Sequence, residues 1–187
     1  MSMKILGIDP GFERLGVAVV EKVAPQPSGI SNSRGLGGVT EKLIFSECFK
    51  TSAQLEFPER LNLIGEEVKK IIKKYKPDIL AIETLFFTTN QKTAMHVAEV
   101  RGVIIYEAMQ KNLKILEITP LQVKVAITGY GKADKKQISS MLKHLIKIDE
   151  NKSQLATRGD DELDAIAIAL TGLAHLSTVS FAKNFRI

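Results

Sequence analysis

The stretch Lys4-Ile5-Leu6-Gly7-Ile8-Asp9-Pro10-Gly11 decides the fold. A short apolar run is a buried strand, and Asp-Pro-Gly after it makes a tight turn. The β-rich run Arg14 to Glu21, with Leu15-Gly16-Val17-Ala18-Val19-Val20 inside it, then predicts an antiparallel hairpin partner. Ala24 to Gly38 is rich in Pro, Ser and Gly and reads as a long hairpin tip; Leu43 to Thr51 reads as a third strand.

Downstream the period changes. Leu61, Ile64, Val68, Ile71 and Ile72 recur at helical spacing, so Pro58 to Tyr75 is a helix, with Pro58 in its first turn and Pro77 beyond its end. Asp78 to Leu85 is a strand around Ile79-Leu80-Ala81-Ile82, and Lys114 to Ile118 is a fifth. Gln91 to Gln110 is a helix with apolar residues over more than half its circumference, which calls for burial on two sides, either wholly within the core or by the core and a second subunit. Leu121 to Thr128 and Lys135 to Ile148 are helices separated by Gly129-Tyr130-Gly131, and Asp161 to Leu176 is apolar almost all round. The order predicts an α/β fold, a five-stranded mixed sheet with helices on both faces. We expect a single domain over residues 3–176 and a loose tail over 177–187.

With 44% hydrophobic and 25% charged residues, the 187-residue chain can bury a core and is not disordered. Its longest nearly apolar run, Ala165 to Leu176, is far short of the about 20 residues of a membrane span. A single cysteine, Cys48, excludes a disulfide framework and a cysteine-rich zinc site; it reads as a buried strand residue. His96, His144 and His175 fall on three helices with no ligand spacing. No charged-then-apolar leader precedes the first strand, which predicts a reducing, cytoplasmic setting. The net charge is +5, and between Gln122 and Lys152 seven lysines (124, 132, 135, 136, 143, 147, 152) face three acids (Asp134, Asp149, Glu150). Such a run is either a solvated helix face or a contact for a polyanion.

Four acids sit where acids are costly. Asp9 and Glu83 end two strands that should be central, at the edge where ligand crevices form in open α/β sheets. Asp161 and Asp164 are three apart, with β-carbons about 5–6 Å from each other, on a helix face that continues into Ala165 and Ile168. Three of them have an ordinary alternative: Asp9 as a turn residue, the helix pair (with Asp160 and Glu162) as company for a helix dipole. Glu83 has none, and four clustered acids repel unless a cation joins them. Oxygen donors without paired His or Cys suit Mg²⁺ or Mn²⁺. Two such ions serve an in-line displacement at phosphorus, with the lysine run on the DNA backbone. Phe86 and Phe87, just beyond Glu83, can stack on or wedge between bases, or one can plug the core.

Gly7-Ile8-Asp9-Pro10-Gly11, Ala81-Ile82-Glu83-x-x-Phe86, Ala98-x-x-Arg101-Gly102-Val103 and Asp161-x-x-Asp164-Ala165-x-Ala167-Ile168-Ala169 resemble, in order and nearly in spacing, the RuvC family of bacterial Holliday-junction resolvases. The likeness runs from about Met3 to His175. It implies a ribonuclease-H-like fold and a homodimer that resolves four-way junctions in recombination and repair by paired Mg²⁺-dependent nicks. It also implies contact with the RuvA and RuvB branch-migration complex. By position it makes Asp9, Glu83, Asp161 and Asp164 the metal-binding catalytic acids, Phe86 a base-contacting aromatic, and Lys124, Lys135 and Asn90 DNA-facing residues. Some family members carry His where this chain has Asp161. Three other readings are a non-catalytic junction-binding module, a ribonuclease-H-like RNA-processing nuclease, and an actin-like nucleotide-binding protein. The last also opens on Gly-x-Asp-x-Gly but needs a second comparable domain.

Overall fold

A computed structural model describes residues 2–23, 40–85, 91–146 and 159–184. Its sheet is built from β1 (Met3–Asp9), β2 (Arg14–Val23), β3 (Thr40–Lys50), β4 (Ile79–Glu83) and β5 (Lys114–Ile118), in the order β3-β2-β1-β4-β5. The first three strands pair antiparallel; β1–β4 and β4–β5 are parallel, with Ile8 opposite Ile82. The expected mixed sheet is therefore present. Among the described residues no helix is long and apolar enough to cross a membrane.

The central strands are apolar on both faces because both faces are covered. Leu6, Ile8, Val17, Val19, Leu80 and Ile82 point to one side, where α1 (Phe57–Tyr75) and α2 (Gln91–Met109) bring Ile64, Val68, Ile71, Val100 and Ile104. Ile5, Ala18, Val20, Ile79 and Ala81 point to the other, under α3 (Pro120–Thr128), α4 (Lys135–Leu145) and α5 (Asp160–Asn184). The helix starts follow local chemistry. Thr119 and Gln122 cap α3 reciprocally, Asp134 and Gln137 do the same for α4, and Glu59 accepts from the Glu56 N–H ahead of α1. Gly129, at φ 71°, closes α3 in the left-handed conformation.

Two expectations are corrected. Where a loose tail was expected from Ser177, α5 continues to Asn184: no glycine or proline lies between 177 and 184 to stop it. Cys48 is half-buried rather than buried, because β3 is an edge strand. The hairpin tip 24–38 lies outside the described residues.

The closest packing is that of α5 on the sheet. A β-carbon at Gly7 would overlap the Ala165 carbonyl and stand 2.7 Å from the Ala169 β-carbon; one at Gly16 would overlap the Asp161 carbonyl. Gly172 meets Ala81 and Ile5 in the same seam. Gly7→Ala should thus destabilise the protein by about 1–3 kcal/mol, through overpacking against backbone that cannot yield. Gly102→Ala on α2, where a β-carbon would meet nothing within 4 Å, should be neutral or stabilising. Urea unfolding of the two variants measures the difference.

Candidate active site

β1 and β4 run parallel and in register, so Asp9 and Glu83 end side by side on neighbouring strands, about 4.8 Å apart between backbones. Arg101, buried on α2, donates to the Glu83 carbonyl and pairs with Glu117 at 3.0 Å, which pins the end of β4. Phe12, after the Asp9 turn, is held edge-on by Phe57 and His96 and capped by the Arg60 guanidinium. The turn after Asp9 is thus braced from α1 and α2. On the opposite side, the α5 seam brings the first turn of that helix over β1 and β2. Asp161 rests its carbonyl on Gly16, whose own strand partner is Asp9. The four predicted acids therefore share one corner of the sheet.

Their electrostatics confirm the crowding. The Asp9 carboxyl is pushed up to about 7, mainly by burial and then by the negative charges of Glu83, Asp164 and Asp161; Lys135 opposes the rise. Burial followed by Asp164 raises Glu83, against Arg101 and Lys135. Burial also raises Asp164, with Lys135 pulling the other way.

Two of the acids are held by the protein's own cations. Lys135 donates to Asp164 at 3.3 Å, and Arg14, at the start of β2, binds Asp161 Oδ2 at 2.6 Å. The Cys48 thiol donates to the same Oδ2 at 3.6 Å. Among the described residues no three Asp, Glu, His or Cys groups stand close enough to hold one ion together. The donor set still fits a hard divalent cation: four carboxylates, three of them raised by burial and mutual repulsion, already draw the two basic side chains.

Lys124, on α3, joins Glu83, Lys135 and Asp164 around a cavity of about 160 Å³. A larger one, about 470 Å³, lies between α4 and α5 against Lys135, Lys136, Lys143, Asp160 and Asp164. Lys132 is exposed. Phe86, Phe87 and Asn90 lie outside the described residues. Sequence reasoning passed over Arg14 and Cys48, whose signal was only their place at the ends of two paired strands; Gly16 lies opposite Cys48.

A mixed sheet with acids at paired strand ends and on a helix crossing them is the ribonuclease-H-like arrangement. Residues 5–172 match the family described as crossover junction endodeoxyribonuclease RuvC, and the chain belongs to that family. The crossover junction endodeoxyribonuclease RuvC of Thermosipho melanesiensis is 43% identical over 167 residues, 89% of this chain and 94% of that protein. That of Caldicellulosiruptor saccharolyticus is 40% identical over 182 residues, 97% of this chain and 99% of its own. Among solved structures, Thermus thermophilus RuvC in complex with Holliday junction substrate superposes with a TM-score of 0.79. It is 28% identical, and the match covers 95% of this chain and 96% of that one.

The raised acids make stability depend on pH with a definite sign. Unfolded, Asp9 titrates near 3.8; folded, near 7. Between these values the native state holds a proton that the unfolded chain has lost, so stability falls as pH rises from about 4 to about 7. The charged cluster then binds a cation best. Mg²⁺ should raise the melting temperature more at pH 8 than at pH 5, and Asp9→Asn should flatten both dependences in thermal melts.

Proposed function

We propose that this chain is a divalent-cation-dependent endonuclease that resolves four-way Holliday junctions as a homodimer, nicking two strands symmetrically. The observation that carries this reading is the convergence of Asp9, Glu83, Asp161 and Asp164, with Asp9 pushed up to about 7 by burial and then by the other three acids, in a chain of the RuvC family. The four acids are its metal ligands, with Mg²⁺ as the working ion and Mn²⁺ as a substitute. Asp9, Glu83, Asp161 and Asp164 would hold two such ions, which would lower the pKa of the attacking water and stabilise charge on the attacking and leaving oxygens.

The protein's own residues do the rest. Asp9 and Glu83 stand on rigid strand ends braced by Phe12 and Arg101, so the ligand geometry is set by the sheet rather than by a loop. Lys135 and Lys124 line the cavity beside Glu83 and Asp164, where their ammonium groups face the phosphates next to the cut. Phe86 stacks on or wedges between bases at the crossover, and Asn90 contacts the DNA.

On α2, Met95, Tyr106 and Met109 are exposed apolar side chains that suit a second subunit. A two-fold pair presents two identical sites to a two-fold junction. The setting is recombination and repair in the bacterial cytoplasm, alongside the RuvA and RuvB complex. Residues 3–176 then act as one nuclease domain.

A synthetic four-way junction with a linear duplex alongside tests the reading. Paired symmetric nicks in the junction alone, and only with Mg²⁺, are expected. Glu83→Gln should lose about 10³-fold or more in cutting rate while junction binding stays near wild type, since a metal ligand serves the transition state. A fully active Glu83→Gln enzyme would overturn the assignment. Lys124→Ala and Lys135→Ala should each weaken binding and reduce the salt slope by about 1.

A further inference from the structure

Arg14 belongs to none of the groups that the fold or the lysine run explains. Its guanidinium lies 2.6 Å from Asp161 Oδ2, with its side chain half-exposed and that of Asp161 a quarter exposed. The Asp161 carbonyl fills the space that a β-carbon at Gly16 would need, so the start of α5 lies close on β2. The Asp161 carboxylate is engaged by Arg14. Asp164 is engaged in the same way by Lys135, and with both pairs in place no three donors can share one ion among the described residues.

We infer that Arg14 is a positioning residue that acts as an internal counter-ion: it holds Asp161 in the metal-free protein and competes with the divalent cation for that carboxylate. The inference rests on the reading of Asp161 as a metal ligand. Three features suit the role. An ion pair open to solvent is weak, so a divalent cation displaces it readily. The half-exposed guanidinium has water to move into, and Gly159, at the near end of α5, puts no side chain beside it. The Cys48 thiol donates to the same Oδ2, a neutral partner that stays beside the carboxylate after Arg14 has left. Without a counter-ion, the Asp161 carboxylate would stand unpaired over Gly16, the strand partner of Asp9. Arg14 therefore sets the cation concentration at which Asp161 takes up an ion.

Calorimetric titration with Mn²⁺ alone, without DNA, tests this on metal-free wild type, Arg14→Gln, Arg14→Lys and Asp161→Asn. Arg14→Gln should bind Mn²⁺ about two- to fivefold more tightly, the scale of an exposed ion pair. Arg14→Lys should fall between it and wild type, and the metal-free Arg14→Gln protein should melt below wild type. Asp161→Asn should abolish the gain when combined with Arg14→Gln, because the competition is for that carboxylate. Unchanged or weaker Mn²⁺ binding by Arg14→Gln, with wild type binding normally, overturns the inference and leaves the metal site standing. A wild-type protein that takes up no Mn²⁺ overturns both.

Discussion

The packing of α5 onto the sheet at Gly7 and Gly16 is the constraint on which the rest of the molecule depends. The Ala165 and Asp161 carbonyls occupy the space that β-carbons would fill at those two positions. Ala18, Ala81, Ala169 and Gly172 keep the same seam low. A helix lying this close to a sheet has no freedom to slide, since interiors are packed like crystals and any shift opens voids or makes clashes. The helix carries two acids on its first turns, so its depth decides how near they come to the acids at the ends of β1 and β4.

That nearness creates an electrostatic problem, which the surrounding residues meet in different ways. Asp9, the most enclosed, resists ionisation up to about 7. Asp161 and Asp164 lie nearer solvent and take basic partners, Arg14 from β2 and Lys135 from α4. Glu83 is eased by Arg101, whose guanidinium also anchors the end of its strand. An acid cluster balanced in this way is poised for a cation, because every added positive charge relieves it. The same corner opens toward lysine-lined cavities, which place positive charge where a phosphodiester chain would run.

Much of this was legible in the residues. Ile5-Leu6-Gly7-Ile8 and Ile79-Leu80-Ala81-Ile82 could only be strands buried on both faces, so the acids that follow them had to lie at the sheet's edge. The i,i+3 spacing placed Asp161 and Asp164 on one helix face whatever the helix packed against. Helix ends were less legible. Burial and stop signals both run out near Leu176, yet nothing in the next residues breaks a helix, and α5 goes on to Asn184. Cys48 was misjudged because edge or centre is a matter of strand order, and strand order is not local.

By itself, then, the sequence determined the element types, the four acids and the family, because each is written in short-range patterns of polarity and spacing. Only the tertiary structure decided which charges meet. Arg14 and Asp161 are far apart in the chain, and their contact follows from the hairpin register, the helix depth and the absence of a side chain at Gly16. Long-range electrostatics depend on distances of a few ångströms, and those distances are set by packing rather than by sequence separation.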